Sequence, residues 1–392
     1  METSTLIFYV VVMLASAKLL EIPFRRLNLN PIPAYVLAGF IVGPYVLGII
    51  EFYLELTSIA YLGLILLMLY TGLTTEFREI KSNFKEVVAM GSLGIIVTFI
   101  AVYTYLWLLG FPSIISLFIA VALSNTATET VAGVLARSGE SKLRSLVIGA
   151  SFFDDIIAVY LITLLTGFGL RELSIEDLLA FTAKTVAFIA IAFYISSLFS
   201  SKYTRIYQYM SKNYFWFASS VVLIALVLAL IARMVGLSEL LGAYLAGVII
   251  SRSREFHDPM LRTRIALTNF ISDFAVILDV IFIPIFFVYV GLSYSIREVD
   301  VILYASLLTL AMIGKFIGVY PYAYTVFRDR SSAIAAGILM GSRGSLDIAL
   351  LRLGLEAELI DQTVFSTVLT VALTTTILTP LIYTIVYKGK AV

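Results

Sequence analysis

Two aspartates, Asp154 and Asp155, stand side by side within SLVIGASFFDDIIAVYLITLL, residues 145–165. A run this apolar reads as a membrane-spanning helix. A carboxylate at mid-bilayer depth costs about 2.5–3.5 kcal/mol on insertion scales, and acids kept there usually serve ion or proton movement. Neighbours on a helix project about 100° apart, so one carboxylate can face a cavity while the other pairs internally. Groups this close titrate as a coupled pair, and such a pair can exchange protons for a hard cation. Two acids satisfied by nearby hydroxyls and amides are the bland alternative. A single Asn or Ser would serve that purpose at lower cost.

Other polar residues gather in equally apolar surroundings. Lys315, in LLTLAMIGKFIGVY, is too deep to reach an interface easily. It needs a counter-ion: Asp154 is the first candidate, Glu129 and Asp279 the others. SNTATET, residues 124–130, interrupts a span with Asn125, Thr126, Thr128 and Glu129. Amides, hydroxyls and freed carbonyls are oxygen ligands suited to a hard monovalent ion. Glu129 either contacts the ion or biases the dipoles of the flanking half-helices. GSRGSLD, residues 341–347, interrupts a second span with Arg343 and Asp347, for which an internal ion pair holding the break together is the expected role.

The elements that carry these groups follow from composition. The 392 residues are 60% hydrophobic and 14% charged, against roughly 25% charge in soluble domains. The chain is a polytopic membrane protein of the all-α class. Net charge is +1, which gives no argument for nucleic acid. Cysteine is absent and His257 is the single histidine. Thiol chemistry is excluded, and a His-based zinc site or Ser-His-Asp triad nearly so. No enzyme activity and no cofactor are expected. A bilayer needs about 20 apolar residues per helix, and thirteen runs qualify: 4–22, 32–50, 56–73, 87–109, 112–136, 143–168, 176–199, 214–235, 238–251, 270–293, 300–322, 331–352 and 362–387. The ninth is short. Pro284 should kink the tenth. Glu239 opens a span, where an anion suits a helix N-terminus. Lys18 and Lys184 should reach polar regions or neighbours. Glycines 39, 43, 242, 247, 314 and 318 let helices approach closely.

Cations test the span count. One set of alternating loops holds 19 Lys and Arg residues, from Arg25 to Lys390; the other holds only Arg171, Arg233, Arg297 and Arg352. The positive-inside rule puts the rich side in the cytoplasm, with the N-terminus outside and the C-terminus inside a plasma membrane. AYVLAGFIVG in the second run echoes AYLAGVIIS in the ninth, LMLYTGL in the third echoes FFVYVGL in the tenth, and both the fifth and twelfth are interrupted. An odd offset of seven makes the paired spans antiparallel. The reading is an inverted-topology repeat, spans 1–6 against 8–13, with two broken crossing helices, as in secondary transporters.

The chain resembles the monovalent cation/proton antiporter superfamily, in particular sodium/proton antiporters of the NapA and NhaA type. ATETVAGVL, FFDD, PIFFVYVGL, GKFIG and SRGSLDIAL carry the likeness, which covers nearly the whole chain. The resemblance implies that Asp155 hosts the sodium ion or the proton. It implies that Asp154 pairs with Lys315, as in electrogenic members, and that Thr128 and Glu129 are the Thr-acid step of the crossing helix. It further implies a core domain (about 87–168 and 300–387) that rises and falls against a dimerising scaffold (about 1–73 and 176–293). Electroneutral relatives commonly have Asn-Asp where this chain has Asp-Asp. The expectation is an electrogenic sodium (or lithium)/proton antiporter, a homodimer in the bilayer, with no soluble regulatory domain. A potassium/proton antiporter or potassium-efflux pore is the alternative.

Overall fold

The structure is a computed structural model that describes residues 3–27, 29–74, 83–135, 140–168, 175–202, 213–251 and 262–387. His257 and many of the loop cations, including Arg78, Arg137, Arg171, Arg205, Lys212, Arg252 and Lys388, lie outside the described residues.

Helices follow the apolar runs in order. They are α1 (Thr3–Arg26), α2 (Ile32–Val42), α3 (Leu54–Thr74), α4 (Phe84–Leu108), α5 (Ser113–Ala122), α6 (Thr128–Leu135), α7 (Ser141–Phe168) and α8 (Ile175–Lys202). Then come α9 (Tyr214–Met234), α10 (Glu239–Ser251), α11 (Arg262–Ile277), a π-helical turn (Leu278–Phe282) and α12 (Ile283–Leu292). After a 3₁₀ turn (Ile296–Glu298) the chain ends with α13 (Val301–Phe327), α14 (Arg330–Leu339), α15 (Ser345–Glu356) and α16 (Gln362–Tyr387). Eight described helices are long and apolar enough to cross a membrane. No strand occurs among the described residues, as expected where backbone polar groups must be satisfied without water.

Local chemistry sets the boundaries. Asp300 accepts from the backbone N–H of Ile302 (2.9 Å) and Leu303 (3.0 Å) and starts α13; Asp329 accepts from Ser332 N–H (2.9 Å) and starts α14. Both are side-chain N-caps. The second run was expected over 32–50, yet its helix stops at Val42. Gly43 is extended (φ −76°, ψ 179°) because the following Pro44 excludes helical backbone before it. In the tenth run Pro284 brings a π turn rather than an uninterrupted α-helix: Ile283 N–H bonds to the Leu278 carbonyl, five residues back.

The chain divides into two compact units, one of residues 1–54, 78–170 and 287–392, the other of 55–77 and 171–286. In the first, a core of Val87, Met90, Val131, Leu146, Val319 and Leu339 packs the break-bearing helices together. In the second, Leu69, Phe217, Phe270 and Phe274 centre the core. Each unit contains a very close contact between two glycines of different helices. A Cβ on Gly39 would lie 2.9 Å from Gly291 Cα in the first, and one on Gly247 would lie 2.9 Å from the Gly72 carbonyl carbon in the second. Such approach distances admit no side chain.

Candidate functional site

The two interruptions meet. Residues 123–127 separate α5 from α6, and residues 340–344 separate α14 from α15. Ala127 N–H donates to the Ser342 carbonyl (2.9 Å), which ties one break to the other. Breaking two helices mid-span exposes four sets of backbone groups that no helix satisfies. At the ends of α5 and α14 these are carbonyls; at the starts of α6 and α15 they are N–H groups.

Charged side chains settle each end by sign. Arg343, fully buried, donates from Nη1 to the Gly341 (2.9 Å) and Ser342 (3.3 Å) carbonyls and from Nη2 to Ala311 (3.2 Å) and Leu123. Its planar fork of donors reaches the carbonyl ends of both half-helices, where the dipole favours a cation. Glu129 Oε1 accepts from Ser345 N–H (2.5 Å) and Asp347 Oδ2 from Gly344 N–H (2.7 Å). Both acids therefore sit at the start of α15, where an anion is favoured. The expected Arg343–Asp347 ion pair does not form. The arginine answers the carbonyl ends and the aspartate an N-terminal end, so the two serve opposite poles of the break.

The aspartates have different partners. Asp154 Oδ2 takes Lys315 Nζ at 2.6 Å and the Thr126 hydroxyl at 2.6 Å. Lys315 Nζ also donates to the Ser124 carbonyl (2.5 Å), and the Met340 carbonyl lies 3.0 Å from the Thr126 hydroxyl. Of the candidate counter-ions, Asp154 is thus the one that contacts Lys315. Asp155 has only neutral donors: Asn125 Nδ2 on Oδ1 (3.1 Å) and the Thr128 hydroxyl on Oδ2 (2.8 Å). Asn125 Nδ2 also donates to Asp347 Oδ1 (2.7 Å), while its own Oδ1, though buried, takes no hydrogen bond. Asp155 keeps 3% of its surface exposed, whereas Asp154 and Lys315 keep none. Of the two buried carboxylates, Asp155 is the one that keeps any exposed surface.

All nine candidate residues, Asn125, Thr126, Thr128, Glu129, Asp154, Asp155, Lys315, Arg343 and Asp347, come together around the crossing. Sequence reading missed the groups that make room for them. A Cβ on Gly91 of α4 would lie 2.9 Å from Asp154 Oδ1, and one on Gly94 would lie 3.1 Å from Lys315 Cε. Their spacing, one turn apart in an apolar helix, was a signal, but a common one. Thr376 of α16, whose hydroxyl donates to the Arg343 carbonyl, carried no signal at all.

Residues 10–389 match the sodium/hydrogen exchanger family, described by its transmembrane region. The chain belongs to that family. Members of the sodium/hydrogen exchanger family move monovalent cations and protons across membranes, and this chain is a multi-pass integral membrane protein of the same kind. It is similar to GerT of Bacillus cereus, a probable Na(+)/H(+) antiporter, at 27% identity over 364 residues, covering 92% of this chain and 93% of that one. GerN of Bacillus cereus, a Na(+)/H(+)-K(+) antiporter, is 28% identical over 370 residues, covering 92% and 90%. The structure of the sodium proton antiporter MjNhaP1 from Methanocaldococcus jannaschii shares the fold, with a TM-score of 0.76 at 18% identity over 100% of this chain and 98% of that one.

Proposed function

We propose that this exchanger is an electrogenic sodium (or lithium)/proton antiporter in which H⁺ and the metal ion compete for Asp155. The observation that carries the reading is the asymmetry of the pair. Asp154 is neutralised by Lys315 at 2.6 Å, while Asp155 has only Asn125 and Thr128. A buried carboxylate without a cationic partner is costly, so it recruits a cation from solution, either a proton or a metal ion. Either one neutralises it, and neither leaves room for the other. The spare Oδ1 of Asn125 and the Thr128 oxygen are the neutral ligands beside it, and the chemistry fits a hard ion.

Alternating access needs a moving part. The crossing and its ligands all lie within one compact unit of residues 1–54, 78–170 and 287–392, which supports a mobile core of about 87–168 and 300–387; in this reading the rest, about 1–73 and 176–293, is a dimerising scaffold, although residues 1–54 and 287–293 cluster with the core. The two glycine contacts support the inverted repeat of thirteen spans. Overlaying the echoing segments carries Gly39 onto Gly247 and Gly72 onto Gly291, so each close contact is the image of the other. In this reading the protein sits in the plasma membrane with its N-terminus outside and its C-terminus in the cytoplasm.

The test is sodium-driven proton movement in inside-out vesicles. Asp155→Asn should abolish it with the protein still folded and inserted. Normal exchange by that variant would remove Asp155 from the mechanism. A second reading, potassium/proton exchange, is favoured by the similarity to GerN, a Na(+)/H(+)-K(+) antiporter. Proteoliposomes challenged in turn with Na⁺, Li⁺ and K⁺ distinguish the two.

A further inference from the structure

The far end of α15 carries a junction that the exchange mechanism leaves unused. α15 has 12 residues, about 18 Å at the α-helical rise. Its first turn belongs to the ion site through Asp347. Its last two turns carry Arg352 and Glu356. Arg352 Nη2 donates to the Tyr289 hydroxyl (2.8 Å), Nη1 to the Ser293 hydroxyl, and Nε to Glu356 Oε1 (3.0 Å). The guanidinium also lies over the Tyr289 ring, 4.7 Å from its centroid, and over the Phe52 ring at 5.8 Å. The two rings meet edge to face. Gln362, at the start of α16, donates to the Ser293 carbonyl. One guanidinium thus gathers three segments distant in sequence: the stretch before α3, the end of α12 with the residue after it, and the end of α15.

The segments are anchored elsewhere by contacts of another kind. α15 rests on α5, where a Cβ on Gly354 would run into the Phe118 ring. α12 rests on α2 through Gly291 and Gly39. Such close apolar packing has little room to give. The junction between α15 and α12 is made instead of hydrogen bonds, which water can replace once the partners part. Water is at hand, because Arg352 keeps 11% and Glu356 31% of its side chain exposed. When α15 withdraws, Arg352 keeps Glu356, four residues along the same helix, as its counter-ion. No charge is stranded by the separation.

We propose that Arg352, Tyr289, Ser293 and Phe52 form a releasable clasp that shuts the exchanger on the side of the membrane where α15 ends. The proposal rests on the antiport reading for its division into core and scaffold. Arg352, Glu356 and Gln362 lie within 300–387, whereas Phe52, Tyr289 and Ser293 lie within 1–73 and 176–293. The shut clasp accounts for residues 1–54 and 287–293 clustering with the core. Opening on that side takes α15 away from α12, and Tyr289 and Ser293, each 3% exposed when the clasp is shut, then meet water.

The chain contains no cysteine, so Ser293→Cys introduces a lone thiol inside the clasp. In proteoliposomes a charged, membrane-impermeant methanethiosulfonate should label it slowly. Adding Arg352→Gln should speed the labelling by about tenfold, because reaction follows the population of the open form. Adding Tyr289→Phe, which keeps the ring and loses one hydrogen bond, should speed it less. Val147→Cys, in the apolar core of the same unit, should stay unlabelled beside either substitution. Ser293→Cys with Arg352→Cys should exchange sodium for protons, stop when a short bifunctional thiosulfonate bridges the two thiols, and resume on reduction. The proposal is overturned if neither substitution changes the labelling rate, or if Arg352→Gln exposes the Val147→Cys thiol as well, since the arginine would then hold the fold and not a clasp. Exchange by the bridged protein at the unbridged rate also overturns it. Faster labelling at Ser293→Cys, in a protein that exchanges no sodium even when unaltered, would sink only the antiport reading.

Discussion

At the scale of single residues, the site works by dividing two adjacent carboxylates between different tasks. Lys315 makes Asp154 half of a buried ion pair, and removing one partner of such a pair leaves a stranded charge at a cost of about 3–5 kcal/mol. Lys315→Met should therefore lower the melting temperature in detergent markedly. Lys315→Met combined with Asp154→Asn should recover most of the loss, because no charge is then left alone. A double variant as unstable as the single one would mean that the lysine acts through packing instead. The aspartates, lysine and threonines were all legible in the chain, since each is a polar residue in a run where polarity is expensive. The role of Arg343 was not. Its true partners are backbone carbonyls of Gly341, Ser342, Leu123 and Ala311, and carbonyls look the same at every position of a sequence.

Elements hold the site through close approach. α13 lies on α4 across glycines: a Cβ on Gly314 would be 3.1 Å from Thr98 Cα, and one on Gly318 would be 3.0 Å from Gly94 Cα. Gly91, on the same helix, faces Asp154 Oδ1, an atom that takes no hydrogen bond. Gly91→Ala sets a methyl group against that oxygen in a tightly packed region, where overpacking costs about 1–3 kcal/mol. It should reduce both thermal stability and exchange rate. Gly133→Ala adds a methyl group that meets nothing within 4 Å and should leave stability within about 0.5 kcal/mol of the parent. Equal stability for the two variants would refute the packing argument. Hydropathy located the helices well because about 20 apolar residues fit only one structure in a bilayer. It overran the second helix because Pro44 is a geometric constraint on backbone, and hydropathy scores do not see geometry.

For the whole molecule, competition at Asp155 makes a pH prediction with a definite sign. Protons displace the metal ion, so lowering the pH should raise the KM for sodium, by up to about tenfold per pH unit once the carboxylate is mostly protonated. Saturating sodium should erase the effect. A KM that stays flat from neutral to acid pH would rule out a shared site. Electrogenicity is a property of the complete cycle: exchange in sealed liposomes should build a membrane potential that a voltage-sensitive dye reports. Vigorous exchange with no potential would overturn that assignment. The sequence carried the membrane class and the antiporter likeness because both are written in many residues at once. The hydrogen bond from Ala127 to Ser342 was invisible there, for it joins positions more than 200 residues apart. Its consequence is mechanical. Because this link ties the two interruptions, a shift of one pulls on the other, and the ion's seat is disturbed as a pair of breaks rather than one at a time.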